Sequence, residues 1–160
     1  MPMNPQDLAD GLVEISFKNT EPETIEGWIA AWLKYFGAAA AGVPIVQPAL
    51  EGTPTVAMRT ALAGMSVPGA GPLAIQNAIT QFWAMLAAAP VTFFPLATAI
   101  APPPTLSGIA AAILAVTPVN VAGNVPAPAA CLAVATAIHG CNLGGTATFP
   151  GPTPIITPIL

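Results

Sequence analysis

The greater part of this chain carries no charge: between Thr60 and Leu160 there is no Asp, Glu, Lys or Arg, and His139 is the only histidine. Charged residues make up 6% of the whole sequence, against about a quarter in ordinary soluble domains. Three basic residues against seven acidic ones, net charge -4, cannot form the basic surface that nucleic-acid binding needs. Low charge combined with 54% hydrophobic residues excludes a disordered chain, which has the reverse balance. The charged flanking positions of a coiled coil are missing as well. Cysteine is scarce. Cys131 and Cys141 make no disulfide framework, and their spacing with His139 falls short of a zinc ligand set. A Cys131–Cys141 bridge is left open by the sequence alone. No catalytic signature is present, and no cofactor, metal or small-molecule substrate is expected.

What charge there is lies at one end. Asp7, Asp10, Glu14, Lys18, Glu21, Glu23, Glu26, Lys34, Glu51 and Arg59 account for all of it. The length suits one domain over 1–160. It has an acidic helical part, 1–59, and an uncharged part, 60–160, expected to form subunit interfaces. A monomer of this size leaves about 30% of its unfolded-chain surface exposed, and an uncharged surface of that extent is poorly soluble alone. Two environments accommodate it: a bilayer, or a permanent assembly that covers most of it. The opening MPMNPQDLADGLVEISF has no basic stretch before an apolar run, so no secretory signal is expected. Pro2 in place of Gly excludes myristoylation. The bilayer alternative rests on 79–101, uncharged and long enough to span. Pro90 and Pro95 interrupt it, and no basic residue follows.

The 20 prolines and 14 glycines punctuate a mainly α pattern. About six short helices are expected, joined by long Pro-rich extended arms, with little β. The first covers 4–18, with Asn4 as N-cap and Pro5 at N1. The second opens on Thr20 and Glu23, a capping box. It carries Ile25, Trp28, Ile29, Trp32, Tyr35 and Phe36 as one apolar stripe and is expected to run through Ala38–Ala41 to Gly42. Residues 43–52 read as an extended connector. Thr53-Pro54 starts a third helix, ended by Ser66 to Gly69, and Pro72 opens a fourth, with Ile79, Phe82 and Trp83 on its apolar side. Residues 91–104 read as extended, with a short strand near 91–94. A fifth helix covers 106–116, and 117–128 is another Pro-rich arm. A sixth covers 128–139, with Gly140 just past its end. The tail is extended, with a short strand near 146–149.

Each reactive residue has a plain structural explanation beside its functional one. His139 reads as a helix-end histidine making a hydrogen bond; a Cys–His catalytic pair with Cys131 or Cys141 would need an activated thiolate. Glu21, Glu23 and Glu26 read as the first turns of a capped helix, not an acid/base pair. The Trp28, Trp32, Tyr35 and Phe36 stripe reads as core or interface before a carbohydrate or peptide platform. Gly69-Ala70-Gly71 lacks the pattern of a phosphate loop.

The capped helix ETIEGWIAAWLKYFGAAAAG, the later Phe82-Trp83 helix and the ending ACLAVATAIHGCNLGGTATFPGPTPIITPIL resemble small virion structural proteins of tailed, especially contractile-tailed, bacteriophages. The resemblance implies a non-enzymatic, many-copy component of capsid decoration, neck, tail or baseplate, assembled in the host cytoplasm. Its partners would be copies of itself and other virion proteins, with no nucleic acid and no membrane. The residues expected at the assembly interface are Trp28, Trp32, Phe36, Ile79, Phe82, Trp83, Phe93, Phe94, Ile138 and Phe149. On that reading, a charge placed at Ile79, Phe82 or Ile138 abolishes assembly.

Overall fold

The structure is a computed structural model. It describes residues 3–16, 18, 20–37, 45–122 and 127–159, and for 118–122 the backbone alone. The chain is mainly helical with a small antiparallel sheet. The six expected helices are α1 (Pro5–Ile15), α2 (Glu21–Gly37), α4 (Thr53–Leu62), α5 (Gly71–Ala88), α7 (Ile109–Ala122) and α8 (Ala127–Asn142). Two single-turn helices, α3 (Gln47–Leu50) and α6 (Pro90–Phe93), and a 3-10 turn at Leu106–Gly108 join them.

The starts follow local chemistry. The Asn4 side chain accepts from the Gln6 N–H at 3.0 Å, with Pro5 next. Thr20 caps α2 as expected, its hydroxyl accepting from the Glu23 N–H at 3.4 Å, and the Glu23 carboxylate accepts from that hydroxyl at 2.9 Å where a full box would have it accept from the Thr20 N–H. Pro54 and Pro72 sit in the first turns of α4 and α5, where a missing N–H costs nothing. The end of the second helix expected at 38–42 falls outside the described residues.

Four readings need correction. The strand near 91–94 is the helical turn α6. Phe93 and Phe94 are both buried, and an alternating strand on a one-sided sheet would turn one of them outward. Residues 47–50, expected as extended connector, form α3 because a turn drives Leu50 into the core. The arm expected from 117 onward is helix as far as Ala122. Pro118 removes the one N–H that would reach the Leu114 carbonyl. Packing of α7 on α5 and α8 then outweighs the local proline penalty of about 3 kcal/mol. Finally, α8 passes through Gly140 and ends at Asn142. The terminating glycine is Gly144, at φ +91°, the left-handed position of a helix C′ residue. The Thr105 hydroxyl supports the longer end by donating to the Cys141 carbonyl at 2.8 Å.

The sheet has order β1 (Ala99–Ala101), β2 (Thr146–Phe149), β3 (Ile155–Pro158), all antiparallel. The strand expected near 146–149 is therefore β2. Ala147 pairs with Ile100 and Thr157 on the inner face, and Thr148 pairs with Ala99 and Ile156 on the outer one. The Ile159 N–H donates to the Gly145 carbonyl at 2.9 Å. Counting alternately from that pair, Ile156 and Pro158 are the β3 positions whose backbone faces away from β2. Pro158 has no N–H to offer, and Pro154 precedes the strand, so this edge is blunted against adding another strand.

One buried cluster joins both halves of the chain. Trp32 and Phe36 of α2 meet Phe82 and Trp83 of α5. The Phe36 ring stands edge-on to Phe82 at 4.9 Å and to Trp83 at 5.4 Å. α1 packs on α2 and α8, and α5 on α4 and α7. The 79–101 segment is split between α5, α6 and β1. Among the described residues no helix is long and apolar enough to cross a membrane.

Candidate functional site

Nine of the ten residues expected at a subunit interface are core residues of the single chain. Trp28, Trp32, Phe36, Ile79, Phe82, Trp83, Phe93, Phe94 and Ile138 are all buried, and Phe149 is half-buried on β2. As folded they meet the chain's own helices. Helical spacing marks a face as apolar without saying whether a partner or the same chain covers it.

The apolar side chains that do face outward are a different set. Leu114 on α7 is 54% exposed and Leu132 on α8 is 37% exposed. On the outer sheet face and its rim, Ile155 and Ile156 are exposed, as are Val91 and Leu96 in the connection from α5 to β1. These six lie in the uncharged part, and Val56 is exposed on α4 in the acidic part. Between α7 and α8 runs an open trough of about 520 Å3, lined by Val116, Ala129, Leu132, Ala133, Thr136 and Ala137. Ala129, Ala133 and Ala137 follow at i+4 spacing, so their small side chains form the floor along one face of α8. The signal for this set was present in the sequence as the side of α8 opposite Ala135 and Ile138. Its alanines are too small to register as an apolar stripe.

Charge gathers on α1 and α2. A groove of about 580 Å3 between α1 and α2 has Gly11, Gly27 and Ala31 at its base and Glu14, Lys18, Glu23, Glu26 and Lys34 among its walls. Two of the glutamates near the start of α2 do more than favour its N-terminus. Glu21 accepts from the Gly64 N–H at 2.6 Å and the Ser66 hydroxyl at 2.8 Å. Those bonds hold its carboxyl below the usual range and tie α2 to the α4–α5 connection. Glu26 receives Arg59 of α4 through two nitrogens, one at 2.9 Å, and is likewise lowered by that bond. Both partners are about half exposed, so the pair contributes at most about 1 kcal/mol.

His139 lies in the last turn of α8, three residues before its end. Its Nδ1 lies 2.8 Å from the Tyr35 hydroxyl, across the α2–α8 contact. Burial lowers its pKa from the ordinary 6.5 and raises that of Tyr35. Deeper in, Asn142 accepts from Trp83 Nε1 at 2.7 Å and directs its amide toward the Met3 sulfur at 3.7 Å. Cys131 and Cys141 are free thiols. Burial raises the Cys131 thiol, which disfavours the thiolate that nucleophilic chemistry needs. No group of three potential metal ligands occurs among the described residues.

The His139 shift sets a pH dependence. The folded state favours the neutral imidazole, so between the folded and unfolded pKa values the unfolded chain binds more protons. Stability contributed by this site is complete above pH 6.5 and falls as pH drops through 6.5 toward the folded value. Glu21 and Glu26, with lowered carboxyls, lose their share only as pH falls below 4.5. Urea midpoints measured from about pH 8 to 5 should decline in the wild-type chain and stay flatter in His139→Gln. Parallel profiles would show that His139 is not the titrating group.

Comparison of the chain with protein-family models, with curated proteins and with solved structures finds no match.

Proposed function

We propose that this chain is a non-enzymatic structural subunit of a large protein assembly, held by apolar contacts between subunits. The assembly we have in mind is a bacteriophage virion, to whose small structural proteins the capped second helix and the last thirty or so residues are similar in pattern. The observation that supports the reading is the outward-facing side of the uncharged part. Leu114, Leu132, Ile155 and Ile156 are exposed there without a single charged side chain from Thr60 onward. Exposed apolar area of that kind is costly in water and is ordinarily covered by a permanent partner. The acidic helices would face solvent or a more polar neighbour.

Sedimentation of the native source material, with and without mild detergent, tests this, the chain being followed by mass spectrometry. The expected result is that it travels with a large, detergent-resistant particle. Release by detergent into small micelles would put lipid in the partner's place and overturn the proposal. Recovery as a free monomer in both conditions would overturn it too.

A further inference from the structure

We propose that Trp83, Asn142, Tyr35 and His139 form a one-way hydrogen-bond chain that fixes His139 as its Nε2–H tautomer and makes the ring a proton-operated latch on the joint between α2, α5 and α8. The inference is independent of the assembly reading above. It also goes beyond burial, which by itself accounts for the pH dependence of stability and fixes no tautomer.

The direction of the chain follows from which groups can only donate. An indole N–H donates and never accepts. The Asn142 atom 2.7 Å from Trp83 Nε1 is therefore the amide oxygen, and the amide nitrogen takes the other side. That nitrogen lies 3.7 Å from the Met3 sulfur, a weak acceptor, and its second hydrogen serves the Tyr35 oxygen, to which the Asn142 side chain is hydrogen-bonded. Tyr35 and Asn142 are both fully buried, and burial keeps the phenol protonated. A buried O–H needs an acceptor, and toward Tyr35 the Asn142 amide offers only N–H. His139 Nδ1, 2.8 Å away, is the acceptor that remains. A ring nitrogen that accepts carries no proton, so the neutral imidazole bears its hydrogen on Nε2.

Protonation reverses one link and upsets the rest. Nδ1–H then points at Tyr35, and the phenolic oxygen faces donors from His139 and Asn142 at once. Its own hydrogen is left in a buried site without an acceptor, which is costly. Tyr35 must turn, and the Asn142 amide, shared with Trp83 and Met3, is disturbed with it. His139 is half-buried, so protons reach the ring from solvent although the other three members are buried. The surroundings hold no carboxylate that would welcome the charge. α1 carries Asp7, Asp10 and Glu14, α2 carries Lys34 beside Tyr35, and α8 itself carries Cys131 and Cys141. α5, α7 and the 3-10 turn at Leu106–Gly108 carry no titratable group. Among the described residues no ion pair to His139 occurs.

The test is nitrogen NMR of the isotope-labelled full-length chain, purified without a histidine tag so that His139 is the only imidazole. At about pH 8, where the ring is neutral, a single tautomer is expected, with Nδ1 unprotonated and the hydrogen on Nε2. On acidification the Trp83 indole N–H resonance should move with the same midpoint as the ring. In Tyr35→Phe, which removes only the hydroxyl, the two neutral tautomers should mix and the Trp83 resonance should cease to follow His139. An Nδ1–H tautomer in the wild type overturns the inference. So does a Trp83 resonance indifferent to His139 protonation, or one that still follows it in Tyr35→Phe. If Tyr35→Phe does not fold, the tautomer and the Trp83 resonance of the wild type decide by themselves.

Discussion

Trp83→Ala should remove most of the stability of this fold, with a loss of about 5 kcal/mol. Trp83 is fully buried, stands edge-on to Phe36 at 5.4 Å, and donates from Nε1 to Asn142 at 2.7 Å. Truncating a buried tryptophan costs about 3–5 kcal/mol through lost burial and the cavity left behind. Leaving the fully buried Asn142 oxygen without its donor adds about 1–3 kcal/mol. Whole-domain stabilities are about 5–15 kcal/mol, so the variant should show a greatly lowered or absent cooperative urea transition. The polar share can be separated. Trp83→Phe and Asn142→Leu each orphan one partner, whereas the double variant orphans neither. It should therefore cost clearly less than the two single losses added together. Strict additivity would mean that this hydrogen bond contributes little.

The same reasoning changes what a charge at Ile79, Phe82 or Ile138 would report. All three are buried in the chain's own core, so such a variant fails to fold before assembly is in question. Loss of particles after these substitutions says nothing about an interface.

Gly11→Ala is the second large effect, and its sign is the opposite of the usual one. Exchanging glycine for alanine inside a helix normally gains about 1 kcal/mol. Here a Cβ on residue 11 would lie 2.3 Å from the Ala31 Cβ and 3.1 Å from its Cα. The obstruction is partly backbone, so no rotamer change relieves it, and α1 must move away from α2. Overpacking of this kind costs about 1–3 kcal/mol, which outweighs the gain in propensity. α1 also packs on α8, so the displacement is felt at two contacts. Adding Ala31→Gly to Gly11→Ala moves the methyl from one helix to the other and should return the urea midpoint close to wild type. If the single variant were stabilised, the close crossing of α1 and α2 would be wrong. If the double were no better than the single, the clash would not be the cause.

The helix starts were readable from short-range chemistry. Asn4-Pro5, Thr20 with Glu23, and the prolines at 54 and 72 each settle a backbone conformation within one turn, whatever the rest of the chain does. The apolar stripe of α2 and the apolar side of α5 that carries Ile79, Phe82 and Trp83 followed from spacing alone. So did the uneven charge, which is the main reason for expecting an assembly. The ends and the connectors were not readable in this way. Gly140 and Gly144 are equally good stops by local rules. Buried Asn142, bonded to Trp83 of α5, and Thr105, bonded to the Cys141 carbonyl, select the second. Phe93 and Phe94 fit a strand until both must point into one core. Thr117-Pro118 looks like a break until packing on α5 and α8 is counted.

The candidate surface divides the same way. That a large neutral surface exists is a matter of composition, since residues 60–160 contain no charge to place anywhere. Which neutral residues form it depends on which stripe of each helix the core consumes. The large aromatic and branched side chains release the most free energy on burial, so α2 and α5 turn them inward. Alanines and a few leucines of α7 and α8 are left outside. Size therefore sorted the apolar residues between core and surface, and that competition is settled only when all the helices pack together.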